Sequence, residues 1–169
     1  EQAEANGNGQ FPTVVYPNPE ETEAMSKAVD KAKEIDADLV LGTDPDADRV
    51  GIAVKNHHGE IQLLNGNQTA SVLIYYLLNA WKDAGKLTGT QFVCKTIVTT
   101  DLIDEMAAAY DVNCYNTLTG FKYIAQVIRE KEGVEQFIGG GEESYGYLIG
   151  DAVRDKDAIA SCAMIAELT

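Results

Sequence analysis

"LVLGTDPDADRVGIAV", residues 39–54, is an apolar run that stops at three aspartates spaced by single residues; an arginine and a second apolar run follow. Both runs have the length and the aliphatic content of strands. Asp44, Asp46 and Asp48 therefore sit on a loop between two strands. Three carboxylates about 5 Å apart repel by roughly 3 kcal/mol per pair at an effective dielectric near 20. A plain solvated turn punctuated by Pro45 gains nothing from that repulsion.

Outward from this stretch the pattern alternates between helix and strand. "NPEETEAMSKAVDKAKEI" predicts a helix with Asn18 as N-cap, Pro19 at its first position, and Met25, Ala28, Val29 and Ala32 on one face. "VGIAVK" and "EIQLL" flank "NHHG" as a hairpin, with His57 and His58 exposed at its tip. "NQTASVLIYYLLNAWKDAG" reads as a helix ended by Gly85, apolar on more than one face and so packed between layers or against another body. Then come strand "QFVCKTIV", helix "TDLIDEMAAAY", strand "DVNCYN", helix "GFKYIAQVIREKEG", strand "EQFIGG" and helix "KDAIASCAMIAEL". The fold class expected is α/β, with a mixed, mostly parallel sheet and flanking helices. The hairpin turn at residues 56–60 is the expected boundary between two domains, residues 1–58 and 59–169.

Four chemistries compete for the aspartate loop. One is the solvated turn. A second, the calcium-binding EF-hand loop, needs glycine at its sixth place and glutamate at its twelfth. Arg49 and Lys55 stand there, so that reading fails. A third, a haloacid-dehalogenase-type phosphotransferase with DxDx[TV] after a strand, has Asp48 at its fifth place and stays an alternative. The fourth is a magnesium site: hard oxygen donors from Asp44, Asp46 and Asp48 leave coordination positions open for phosphate. Arg49 beside the ion could grip the same phosphate through its planar fork.

A second constellation is "GGGEESYGYLIGDAVRDKDA", residues 139–158. If extended, it points Glu142 and Ser144 the same way, a carboxylate and a hydroxyl suited to neighbouring sugar hydroxyls. A solvated acidic loop explains this stretch equally well. Lys156 precedes a helix, where the dipole disfavours a cation and an anion nearby would explain it. "TLTGFK" places Thr119 and Gly120 at a helix entrance, as a phosphate contact or as a plain N-cap.

Acidic residues number 27 against 13 basic, a formal net charge of −14, which disfavours nucleic acid and anionic membrane partners. No run reaches the length of a membrane span. "EQAEANGNGQ" is a polar lead-in without signal-peptide character, so cytoplasm is the expected compartment. Cys94, Cys114 and Cys162 lack CxxC spacing and are expected as small hydrophobes in a reducing compartment.

Together these stretches resemble the alpha-D-phosphohexomutase family, which includes phosphoglucomutase and phosphomannomutase. "TDPDADR" is similar to the family's metal loop and "GEES" to its sugar-recognition loop, with "TGFK", "RDKD" and "FPTVVYPNPEE" in family order. The resemblance covers nearly the whole chain. It implies that residues 1–58 form the latter part of the metal-carrying second domain and residues 59–169 the sugar-recognising third.

It also implies that Asp44, Asp46 and Asp48 bind Mg2+, with a phosphoserine oxygen as a further ligand, and that Arg49 steadies the phosphate. Glu142 and Ser144 would hold sugar hydroxyls. Thr119, Gly120 and Lys156 would line the cleft, with Lys156 handling a proton or phosphate. The implied partners are a hexose phosphate, a bisphosphorylated sugar intermediate and flanking domains of the same chain.

The family's phosphoserine loop T-A-S-H-N-P and closing phosphate loop R-T-S-G-T-E-P are not in these residues; "TAS" at 69–71 is followed by Val72. A central fragment, inactive alone, is expected, with the helix at 67–82 as a surface for a missing neighbour. A phosphopentomutase of the same family and a non-catalytic sugar-phosphate or metal-binding module are the rival readings.

Overall fold

The computed structural model describes residues 8–169, so most of the lead-in expected at residues 1–10 lies outside the described residues. Helix α1 (Thr22–Ile35) ends at Asp36 in the left-handed conformation and leads into strand β1 (Leu39–Thr43). After the aspartate loop the chain returns along β2 (Val50–Lys55) and turns into β3 (Ile61–Leu64). These three strands pair antiparallel in chain order, with Leu41 opposite Ile52 and Ala53 opposite Leu63. The loop that carries the aspartates is therefore the tip of a β-hairpin.

Helix α2 (Gly66–Asp83) is followed by β4 (Gln91–Thr96), α3 (Leu102–Ala109), β5 (Asn113–Thr117), α4 (Phe121–Lys131), β6 (Gln136–Gly141), β7 (Tyr147–Ile149) and α5 (Ala158–Leu168). The second sheet runs β5-β4-β6-β7, parallel over its first three strands, with β7 antiparallel to β6. This is the mixed, mostly parallel sheet read from the sequence. The β1–β3 sheet is antiparallel because its connections are too short for the crossover that a parallel pair needs.

Hydrophobic side chains fill both faces of the second sheet. On one, Leu73, Ile74 and Leu77 of α2, Ile103 of α3 and Ile165 of α5 meet Val93, Ile138 and Tyr147. Val50 and Ile52 of β2 belong to the same cluster, so the packing runs on from the hairpin into the second sheet. On the other face, Phe121, Ile124 and Ile128 of α4 cover Phe92, Phe137 and Leu148. Each such fully buried side chain contributes about 1.5–3 kcal/mol. Inward positions on several sides explain why α2 is apolar on more than one face; Val72 and Tyr75 stay exposed on it. Its start is fixed by a reciprocal capping box between Asn65 and Gln68.

Two local expectations are corrected. Helix α1 begins at Thr22, after Glu21, rather than at Asn18 and Pro19. Asn18 closes a turn ahead of the helix: its Oδ1 accepts from the Glu20 amide and its carbonyl from the Glu21 amide. Met25, Val29 and Ala32 pack inward as expected, whereas Ala28 is exposed. Further on, Gly139 and Gly140 lie in buried strand β6, as read from "EQFIGG", and Gly141 ends that strand. His57 and His58 are exposed at the hairpin tip, and all three cysteines are free, with Cys94 buried. Among the described residues no helix is long and apolar enough to cross a membrane.

Candidate functional site

The aspartate loop is shaped by its own first carboxylate. Asp44 Oδ1 accepts from the Asp48 and Arg49 amides, both at 3.0 Å, while its carbonyl accepts from Ala47. Ala47 takes φ +58°, and the chain doubles back so that Arg49 can begin the return strand. One carboxylate oxygen from each of Asp44, Asp46 and Asp48 then lies within 4.8 Å of the others. Three hard oxygens converging on one point are a donor set suited to a small divalent cation. Burial pushes the Asp44 carboxyl above its ordinary value; the Arg49 amide opposes this, and Asp48 and Asp46 add to it.

Arg49 stands at the edge of that point. Its Nε lies 3.8 Å from Asp48 Oδ1 and 4.0 Å from Asp44 Oδ2, and its Nη1 is 3.1 Å from Glu20 Oε1. Glu20, in the turn before α1, was not singled out by the sequence. A lone glutamate in an acidic chain carries no signal of its own, and only the fold brings it to Arg49.

The "GEES" stretch is a tight turn. Glu142 donates its amide to the Gly146 carbonyl at 2.8 Å, and Tyr145 takes φ +68°. The extended geometry that would have aimed Glu142 and Ser144 alike is replaced by this reversal. Glu142 is buried, with its Oε1 accepting from the Gly120 amide at 2.8 Å. Gly120 is thus the N-cap residue of α4 and its amide is satisfied within the chain. Thr119 beside it is exposed, and Ser144 is half-buried.

The structure joins the two stretches directly. Arg49 and Gly146 form an antiparallel bridge, Val50 donates its amide to the Tyr145 carbonyl at 3.0 Å, and the Ala158 amide at the start of α5 reaches the Ala47 carbonyl at 3.1 Å. Lys156 adds a side-chain link: its Nζ lies 2.9 Å from Asp48 Oδ2 and 3.1 Å from Asp155 Oδ1, above the Phe121 ring. Burial alone would lower the Lys156 pKa, but the two carboxylates outweigh it and hold the ammonium above its ordinary value. The anions that make a cation tolerable ahead of α5 are therefore carboxylates of the chain. Gly146 permits this, because a side chain there would fall on the Lys156 stem. Backbone and side-chain bonds thus tie the loop of Asp44, Asp46, Asp48 and Arg49 to Lys156 and to the Glu142–Tyr145 turn. Thr119 precedes Gly120, whose amide Glu142 holds.

Residues 65–169 match the family described as phosphoglucomutase/phosphomannomutase, alpha/beta/alpha domain III, and residues 1–59 match its domain II. A phosphoglucomutase of Staphylococcus epidermidis is 42% identical over 149 residues, which cover 88% of this chain and 27% of the relative. One of Staphylococcus aureus is 37% identical over 164 residues, covering 97% and 29%. The chain thus spans under a third of the curated relatives it matches. Among solved structures, a phosphoglucomutase/phosphomannomutase family protein of Burkholderia thailandensis superposes with a TM-score of 0.74 at 20% identity, over 95% of this chain and 32% of that one. An N-acetylphosphoglucosamine mutase of Aspergillus fumigatus, solved with GlcNAc-6P and magnesium, gives 0.57 at 14% identity, over 83% and 36%. At those identities the likeness is one of fold. On the matches to both domains and on the sequence identity, this chain belongs to the phosphoglucomutase/phosphomannomutase family.

Proposed function

We propose that the chain is the central part of a magnesium-dependent mutase that interconverts hexose 1-phosphate and hexose 6-phosphate. In this reading residues 1–58 end its metal-carrying second domain and residues 59–169 form its sugar-recognising third. The phosphoryl group passes between a serine in a flanking domain of the parent chain and the sugar, by way of a bisphosphorylated sugar. The observation that carries the reading is the junction of the two loops: Asp48, a member of the carboxylate triad, is paired with Lys156, and Arg49 bridges to Gly146 at the end of the "GEES" turn.

The donor set suits Mg2+: three carboxylate oxygens within 4.8 Å, on a loop pinned by its own backbone. Asp44, Asp46 and Asp48 would hold the ion, whose chemistry is to polarise a phosphoryl oxygen. Arg49 binds the same phosphate through its fork once Glu20 yields it. Lys156 faces the same point and offsets phosphate charge or carries a proton. Glu142 and Ser144 orient the sugar through its hydroxyls, and Glu142, already half engaged with the Gly120 amide, keeps one oxygen for the ligand. A triad that stays net negative makes these cations necessary for an anionic substrate. The solved fungal mutase with GlcNAc-6P and magnesium supports the pairing of this ion with this ligand class.

The test is the complete reading frame, expressed and assayed with glucose 1-phosphate, mannose 1-phosphate and ribose 1-phosphate, with and without Mg2+. Magnesium-dependent turnover of a hexose 1-phosphate by the complete protein, and none by the 169-residue chain, is the expected result. Preference for ribose 1-phosphate would make it a phosphopentomutase. A frame with no serine-bearing phosphate loop would make it a binding module.

A further inference from the structure

The turn that carries Glu142 and Ser144 is held from behind by residues outside both loops. Glu143 Oε2 accepts from Thr96 Oγ1 and from Thr99 Oγ1, each at 3.1 Å, and the two hydroxyl oxygens are 2.8 Å apart. The Glu143 amide donates to Thr99 Oγ1 at 3.2 Å, so Thr99 meets both the main chain and the side chain of one residue. Both threonines are fully buried, Thr96 as the last residue of β4 and Thr99 in the turn after it, whereas Glu143 is half-buried. Thr99 is fixed in turn by Lys95, whose Nζ donates to the Thr99 carbonyl at 3.0 Å and pairs with Asp104 Oδ2 at 2.9 Å. Lys95 is itself buried. From the other side, Gly66 at the start of α2 lies so close that any Cβ there would overlap the Glu143 carbonyl. Tyr147 Oη, donating to the Gly66 carbonyl at 2.9 Å, holds that glycine in place.

Packing alone does not call for this chemistry. A carboxylate and an ammonium drawn in at the C-terminal ends of interior strands cost desolvation, and hydrophobic side chains of similar size would close that end of the sheet at least as stably. Fixed polar bonds instead give direction. The two hydroxyls carry two protons between them, and the carboxylate can accept both. That orients the Glu143 side chain and, through its amide, the backbone on which Glu142 and Ser144 stand. Glu142 then turns its Oε1 onto the Gly120 amide.

We infer that Lys95, Thr96 and Thr99 are positioning residues of the sugar-holding turn, acting through Glu143. The inference rests on the proposal that Glu142 and Ser144 hold sugar hydroxyls, and it names the groups that set where those two side chains stand. In the complete enzyme, Thr99→Val keeps shape and removes the hydroxyl, whereas Thr99→Ser restores it. Glu143→Leu and Glu143→Gln make a second such pair, because the Gln carbonyl still accepts from both threonines.

Thr99→Val and Glu143→Leu are expected to raise the KM for the hexose 1-phosphate about tenfold, a misplacement effect. Thr99→Ser and Glu143→Gln should return to within about twofold of wild type, and Mg2+ affinity should hold across all four. An unchanged KM in Thr99→Val, or Ser as impaired as Val, overturns the inference. Glu142→Gln separates the two claims: normal KM there defeats the sugar-binding reading, and a raised KM there with normal Thr99→Val defeats only this one.

Discussion

Lys156 Nζ lies 2.9 Å from Asp48 Oδ2, so one carboxylate of the triad is already engaged by a cation of the chain. Asp48 must share or surrender that contact when a divalent ion binds. Removing the ammonium while keeping the stem, in Lys156→Met, should therefore tighten Mg2+ binding. A few-fold to about tenfold gain is expected for one charge next to a partly solvated site. Thermal unfolding of the 169-residue chain against Mg2+ concentration reads it directly, since a ligand of the folded state raises the melting temperature. Weaker or unchanged binding would mean that Lys156 and the ion do not compete for Asp48.

The Lys95–Asp104 pair behind the "GEES" turn should respond unequally to loss of either partner. The Lys95 side chain is 2% exposed and that of Asp104 is 34%. Asp104→Asn leaves an ammonium buried beside only the more distant Asp101 carboxylate, at 3.7 Å, and should cost about 3 kcal/mol. Lys95→Met leaves a carboxylate that water can reach and should cost about 1 kcal/mol. Urea unfolding of both variants gives the ranking, and the reverse order would contradict it.

The same pair makes stability depend on acid. Burial pushes the Asp104 carboxyl up, but hydrogen bonds from Asn116 and Lys95 more than offset it and leave it below its ordinary value. With the folded-state pKa depressed, the contribution is present above the unfolded value of about 3.9 and disappears as pH falls through the folded value. Unfolding free energies measured from pH 6 to pH 3 should show a loss in wild type below about pH 4 that Asp104→Asn lacks. Equal slopes in the two proteins would remove Asp104 as its source.

Two glycines test how tightly the loops are fitted. A Cβ at Gly66 overlaps the Glu143 carbonyl, which is main chain and cannot step aside. Gly66→Ala should cost about 3 kcal/mol or more, at the upper end of overpacking effects. At Gly146 the obstacle is the Lys156 stem, which can move. Gly146→Ala should cost no more than about 1 kcal/mol and should reproduce the tighter Mg2+ binding of Lys156→Met. Melting temperatures with and without Mg2+ separate the two cases.

The aspartate loop was legible because its signal is local: an apolar run, three carboxylates at alternate positions, an arginine and a second apolar run. The elements of the second sheet were legible for the same reason, each being a periodic segment bounded by turn residues. The β2–β3 hairpin was legible too, but not that β1 joins it in a sheet separate from the parallel one, because an apolar run of strand length does not say which sheet it enters. Asn18 misled because asparagine before proline marks a turn as readily as a helix start, and here the turn came first. The glycines that end "EQFIGG" were legible as strand residues, but the reason for glycine there was not. In the fold they let β6 pack closely against Leu77 and the Cys94 backbone. Glu20, Thr96 and Thr99 gave no warning, because single residues of common types acquire meaning only when folding brings them to Arg49 and Glu143.

Everything proposed for the site depends on a divalent ion held by Asp44, Asp46 and Asp48. The most direct test is a titration of Mn2+ into the wild-type chain and into Asp46→Asn, followed by loss of the free-ion paramagnetic resonance signal. One saturable site in wild type, emptied by excess Mg2+ and weakened about tenfold or more in Asp46→Asn, is the expected result. No saturable site in wild type, or equal affinity in the two proteins, would contradict it.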